Sequence, residues 1–114
     1  MQSNSERVLI ALCNLFDDHR EQFLELRRRY GNQHQVVIAM EECSELIQAL
    51  GKLLRKDTKY SPEERITHLS EEIADSLIVI TQMVTLFQIE DQVISAMEAK
   101  LKRLSKYLEE KANE

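Results

Sequence analysis

Glu41-Glu42-Cys43-Ser44-Glu45 and Glu71-Glu72-Ile73-Ala74-Asp75 decide how this chain is read. Each box lies inside an otherwise apolar run with helical spacing. Residues three apart share a helix face, so Glu42 pairs with Glu45, and Glu72 with Asp75. On a helical wheel at about 100° per residue, Glu42 falls at the edge of its apolar stripe, between Ala49 and Leu53, and Glu45 sits beside Ile38 and Ala49. Glu72 falls between Val79 and Met83, and Asp75 next to Leu86. A carboxylate at such a flank faces partial burial, which is costly for an unpaired charge. Two such boxes on consecutive helices joined by a short connection are expected to meet as antiparallel neighbours. Four carboxylates gathered there repel one another unless a hard divalent cation sits among them. Oxygen-only ligation points to Mg²⁺, or Mn²⁺, over zinc or copper.

Outward from the boxes, the helices have legible ends. Ser61-Pro62-Glu63-Glu64 opens the second box's helix, with Ser61 as N-cap, Pro62 in the first turn and Glu64 completing a capping box. That helix is predicted to run to about Phe87. Its main apolar stripe is Ile66, Leu69, Ile73, Leu77, Ile80, Met83, Val84 and Phe87, with Val79 and Leu86 extending it on one side. The first box's helix is predicted from about Gln33 to Arg55, after a stop at Gly31-Asn32. Val36, Ala39, Met40, Cys43, Leu46, Ile47, Leu50, Leu53 and Leu54 form its stripe. Residues 56–61 make a polar connection.

The first segment, from about Asn4 to Tyr30, is one helix or two. Ser3 or Ser5 caps its start. Asp18 with Glu21 resembles a second capping box within it. Arg27-Arg28-Arg29 reads as cations near a helix C-terminus. After a break at Gln88 to Asp91, the last helix runs to about Lys111. Val93 or Ile94, Met97, Leu101, Leu104 and Leu108 form a narrow seam of coiled-coil type.

Composition agrees with an all-α fold. The 114 residues include only 2 Gly and 1 Pro, and good helix formers dominate. One domain over residues 1–114 is expected. The formal net charge of -5, without a long basic run, argues against duplex nucleic acid as a partner. The 2 Cys, Cys13 and Cys43, do not form a CxxC pair and read as small core residues. Without a signal core or a long apolar stretch, no membrane partner is expected, and the chain reads as soluble and cytoplasmic.

A carboxylate-bridged di-iron bundle needs Glu-x-x-His on two helices. The residues three before His19, His34 and His68 are Phe16, Gly31 and Arg65, so the motif is missing. His68 lies one turn before Glu72 and within reach of it.

Glu41-Glu42-x-x-Glu45, then Glu72-x-x-Asp75 followed by Ser76-Leu77-Ile78-Val79-Ile80, resembles the MazG-like all-α nucleoside triphosphate pyrophosphohydrolases. Tyr30-Gly31 with Gln35, and Lys100 with Arg103, extend the likeness over roughly Tyr30 to Arg103. The resemblance implies a four- to five-helix antiparallel bundle completed by dimerisation, as a homodimer or a dimer of dimers. It implies Mg²⁺ held by Glu42, Glu45, Glu72 and Asp75. It also implies hydrolysis of a nucleoside triphosphate between the α and β phosphates. Glu41 is then the candidate general base, although the wheel turns it to the polar side. Lys100, Arg103 and Gln35 are the candidate substrate contacts. The related phosphoribosyl-ATP pyrophosphatases carry a His shortly after the second box, which is missing here. A non-enzymatic interaction module using the last helix as its seam is the alternative from another class.

Overall fold

The computed structural model describes residues 1–55 and 59–114. Among them are five helices and no strands: α1 (Asn4–Asp18), α2 (Arg20–Tyr30), α3 (Asn32–Leu54), α4 (Pro62–Phe87) and α5 (Glu90–Ala112). The all-α expectation therefore holds. Part of the polar connection, residues 56–58, lies outside the described residues.

The boundaries follow local chemistry. Ser3 accepts from the Glu6 N–H while the Glu6 carboxylate accepts from the Ser3 N–H, a complete capping box that starts α1. The first segment is indeed two helices. The break falls at His19, however, and no side chain caps α2, so the expected Asp18–Glu21 box does not form. Gly31, at φ 86°, ends α2 in a conformation that costs glycine little. Its N–H donates to Arg27 O at 2.7 Å. Ser61 caps α4 through the Glu64 N–H, with Pro62 in the first turn, but the Glu64 carboxylate does not return the bond, so the expected capping box is only half formed. Gln88, in the left-handed region at φ 54°, closes α4 and turns the chain into α5.

The α3–α4 pair is the centre of the fold, with α2 and α1 packed against it. Cross-contacts pair Gln35 with Gln82, Glu42 with Ser76, and Lys52 with Arg65. Numbers rise along one helix as they fall along the other, so the two are antiparallel, as expected. Phe23 anchors α2 in the core, and Arg27 Nη1 donates to Leu86 O at 3.1 Å, tying α2 to the end of α4.

Several expectations about the core are corrected. The buried face of α4 comprises Glu72, Ser76, Val79, Thr81, Gln82, Val84, Thr85 and Leu86. That is the flank of the expected stripe, shifted toward its polar side. Most of the main stripe stays in solvent, with Ile73 42% and Ile80 49% exposed. The reason is that α3 packs on the side of α4 that carries Ser76 and Gln82, and the described residues leave much of the opposite side uncovered. On α3, likewise, Ala49 and Gln35 are buried while Met40, Ile47, Leu50 and Leu54 are exposed. Cys13 is exposed and not a core residue, because α1 has no buried position; Cys43 is half-buried. Finally, α5 does not complete the bundle within the chain. Among the described residues it packs on α4, with one ion pair from Arg20 of α2 to Glu90 at its start (3.6 Å), and none of its residues is buried.

No helix among the described residues is long and apolar enough to cross a membrane.

Candidate metal centre

The antiparallel α3–α4 packing brings the two acidic boxes face to face. One carboxylate oxygen each from Glu42, Glu45 and Glu72 lies within 4.8 Å of the others. Glu72 is 8% exposed, Glu42 is half-buried and Glu45 is exposed. Asp75 is exposed and stands outside this closest trio. Its charge is nevertheless one of those acting on Glu42.

The electrostatics are those of an uncompensated cluster. Burial raises the Glu42 pKa above its ordinary 4.5, and the neighbouring charges of Glu45, Asp75, Glu72 and Glu41 push it further in the same direction. Oε2 of Glu42 and Oε2 of Glu72 are both buried and lack a hydrogen-bond partner. Buried carboxylate oxygens normally find donors. Two orphans facing the same cluster are what a cation bound by oxygen ligands would relieve. The residues present therefore fit a hard divalent ion.

Beside the cluster stands His68, whose Nε2 lies 3.3 Å from Glu72 Oε1 one turn along α4. His68 is also part of the wall of a cleft of about 280 Å³, together with Lys52, Tyr60, Glu64 and Arg65. The cleft lies where the last turns of α3 meet the first turns of α4. Arg65 is committed to the scaffold, since its Nη1 donates to the carbonyls of Arg55 (2.9 Å) and Lys52 (3.4 Å) at the C-terminal end of α3. Lys52 Nζ lies 5.7 Å from the centroid of the Tyr60 ring. This basic and aromatic cleft was missed by sequence reasoning, because Lys52 reads as an ordinary polar-face residue. Its position one turn past Ala49, on the line running from Glu42 and Glu45, was the available signal.

On the other side of the cluster the seam is sealed. Gln82 Nε2 donates to Gln35 Oε1 at 2.6 Å, and both side chains are buried. Gln35, a candidate substrate contact, thus has a partner within the fold. Glu41 is exposed and outside the trio, on the polar side where the wheel puts it. Lys100 and Arg103 are exposed on α5, which among the described residues does not pack on α3, so the chain by itself does not gather them with the carboxylates. His34 is exposed and stacks on Tyr30, with ring centroids 5.2 Å apart.

Compared with protein-family models, with curated proteins and with solved structures, the chain matches none.

Proposed function

We propose that the chain is a MazG-like, Mg²⁺-dependent pyrophosphohydrolase that converts a nucleoside triphosphate, ribo or deoxy, to the monophosphate and pyrophosphate. The observation that carries the proposal is the convergence of Glu42, Glu45 and Glu72 within 4.8 Å, with two buried carboxylate oxygens unpartnered. Asp75 completes the ligand set, and Mn²⁺ suits the same oxygen donors. When bound, the cation supplies charge neutralisation for phosphate oxygens and lowers the pKa of a water.

The protein's own contribution is alignment, which phosphoryl chemistry needs more than covalent catalysis. Water attacks the α phosphorus, and the bond to the oxygen bridging the β phosphate breaks. Glu41 accepts the proton released. With the Gln35–Gln82 side of the seam closed, the substrate extends from the cluster toward the cleft, where Lys52 offers an ammonium. Gln35 then acts indirectly, by holding α3 on α4 two turns from Glu42. Lys100 and Arg103 are phosphate contacts only across copies, and a homodimer or dimer of dimers belongs to the proposal for that reason.

The test is a panel of normal and modified nucleoside triphosphates with Mg²⁺, scored for pyrophosphate against orthophosphate. Pyrophosphate as the first product supports cleavage between the α and β phosphates; orthophosphate refutes it.

The exposed seam of α5 favours a second reading, a non-enzymatic interaction module. Under it, Glu42→Ala and Glu72→Ala leave partner binding intact and the panel shows no turnover.

A further inference from the structure

Of the carboxylates in the candidate metal centre, Glu72 is the most buried. A glutamate is among the side chains that lose most rotamer freedom when fixed. A ligand group held in one orientation beforehand binds more tightly than one that must first be ordered. Whatever holds Glu72 therefore bears on cation binding as well as on packing.

Few groups are placed to hold it. The residues one turn either side of Glu72 on α4 are His68 and Ser76. Ser76 is engaged elsewhere, since its Oγ donates to the Glu42 carbonyl across the seam at 3.5 Å. Ser70 Oγ donates to Ile66 O of its own helix. Arg65 Nη1 is taken up by the carbonyls of Arg55 and Lys52. His68 remains, with Nε2 3.3 Å from Glu72 Oε1. At that separation two lone pairs would repel, so Nε2 carries the ring proton and directs it at the carboxylate. The two residues lie four apart on one helix of 26 residues, so the backbone keeps their spacing whatever binds nearby.

The consequence falls on the other oxygen. Oε1 is engaged from the side of the cleft that His68 lines, while Oε2 is buried and has no partner. We infer that His68 is a positioning residue of the metal centre: its Nε2–H holds Oε1 of Glu72 and so leaves Oε2 presented to a divalent cation. Ligating carboxylates are commonly braced in this way, and loss of such a partner weakens metal affinity about 10- to 100-fold. The inference rests on the metal-centre reading of the cluster and not on nucleotide hydrolysis. A chain that binds the cation and turns over no nucleotide leaves it standing and sinks only the proposed activity.

The experiment uses the full chain and Mn²⁺ alone, with free Mn²⁺ read from its electron paramagnetic resonance signal. His68→Leu removes the donor from a side chain that is 38% exposed, so the helix should tolerate the change. It should weaken Mn²⁺ binding about 10- to 100-fold. His68→Gln, whose amide nitrogen can take the place of Nε2, should recover most of that loss. Such rescue separates an oriented donor from packing, since leucine fills the space as well as glutamine does. His68→Asn, polar but one methylene shorter, should bind as weakly as His68→Leu and replaces it in the comparison if the leucine variant does not fold. A leucine variant that binds Mn²⁺ as tightly as the wild type overturns the inference. Tighter binding also overturns it, because His68 would then compete with the cation for Glu72. So does a glutamine variant as weak as the leucine one. A wild type that binds no Mn²⁺ overturns the inference and the metal centre together.

Discussion

His68 Nε2 sits 3.3 Å from Oε1 of Glu72, while Oε2 of the same carboxylate is buried without a partner. One oxygen faces the cleft wall and the other is unsatisfied. Glu72 thus joins the two parts of the candidate site, the acidic cluster and the basic cleft beside it.

Cation binding should stabilise the fold. A ligand at 100 times its Kd adds about 2.7 kcal/mol to stability. For a chain of this size each kcal/mol is worth several degrees of melting temperature. Millimolar Mg²⁺ should therefore raise the melting temperature of the wild type, and Glu72→Gln should lose that response. A melting curve indifferent to Mg²⁺ removes the candidate metal centre.

Glu42→Gln and Asp75→Asn should each abolish Mg²⁺-dependent pyrophosphate release while leaving far-ultraviolet circular dichroism unchanged. Full activity in either variant refutes the ligand assignment.

Without metal, stability should depend on the protonation of Glu42. Its carboxyl pKa is raised above 4.5 in the folded chain, first by burial and then by Glu45, Asp75, Glu72 and Glu41. The folded state thus binds this proton more tightly than the unfolded chain does. The resulting stability is fully present below the unfolded pKa and is lost as pH rises through the folded one. In a chelator, thermal melts should show stability falling from about pH 4.5 upward, and Glu42→Gln should flatten that slope. A wild type equally stable across this window contradicts the raised pKa.

Lys52→Ala should raise KM for the nucleotide about tenfold, with kcat little changed. That is the scale of one hydrogen bond to a charged group, roughly 1.5 kcal/mol. Steady-state kinetics decide it, and an unchanged KM places the substrate elsewhere.

Gln82→Ala should destabilise the chain by about 1–3 kcal/mol, because it leaves the buried Gln35 Oε1 without its donor. Gln35→Leu combined with Gln82→Leu should cost less than the single change. Urea denaturation of both variants tests this, and equal additive losses would exclude a coupled pair.

Helix ends were the most legible part of the fold. Ser61-Pro62, Gly31 and Ser3 act through their own backbone and immediate neighbours, and all three behave as their chemistry predicts. The facing of the two boxes was legible for a related reason. Glu42 and Glu72 had to lie near the packed seam, because their apolar neighbours Ala49 and Val79 go there. Cys13, Ile73 and Ile80 were misplaced in the core, because an apolar residue on a periodic stripe records a preference for cover without naming the cover.

The amino-acid order by itself determined four or five helical segments, the Ser3 and Ser61 caps and the pairing of carboxylates three apart, since each depends on interactions within a few residues. Tertiary structure decided which side of α4 turns inward, that Gln35 meets Gln82, that Lys52 joins His68 at one cleft and that α5 stands off the chain's own core. Burial is a property of two surfaces in contact, and a single helix specifies only one of them.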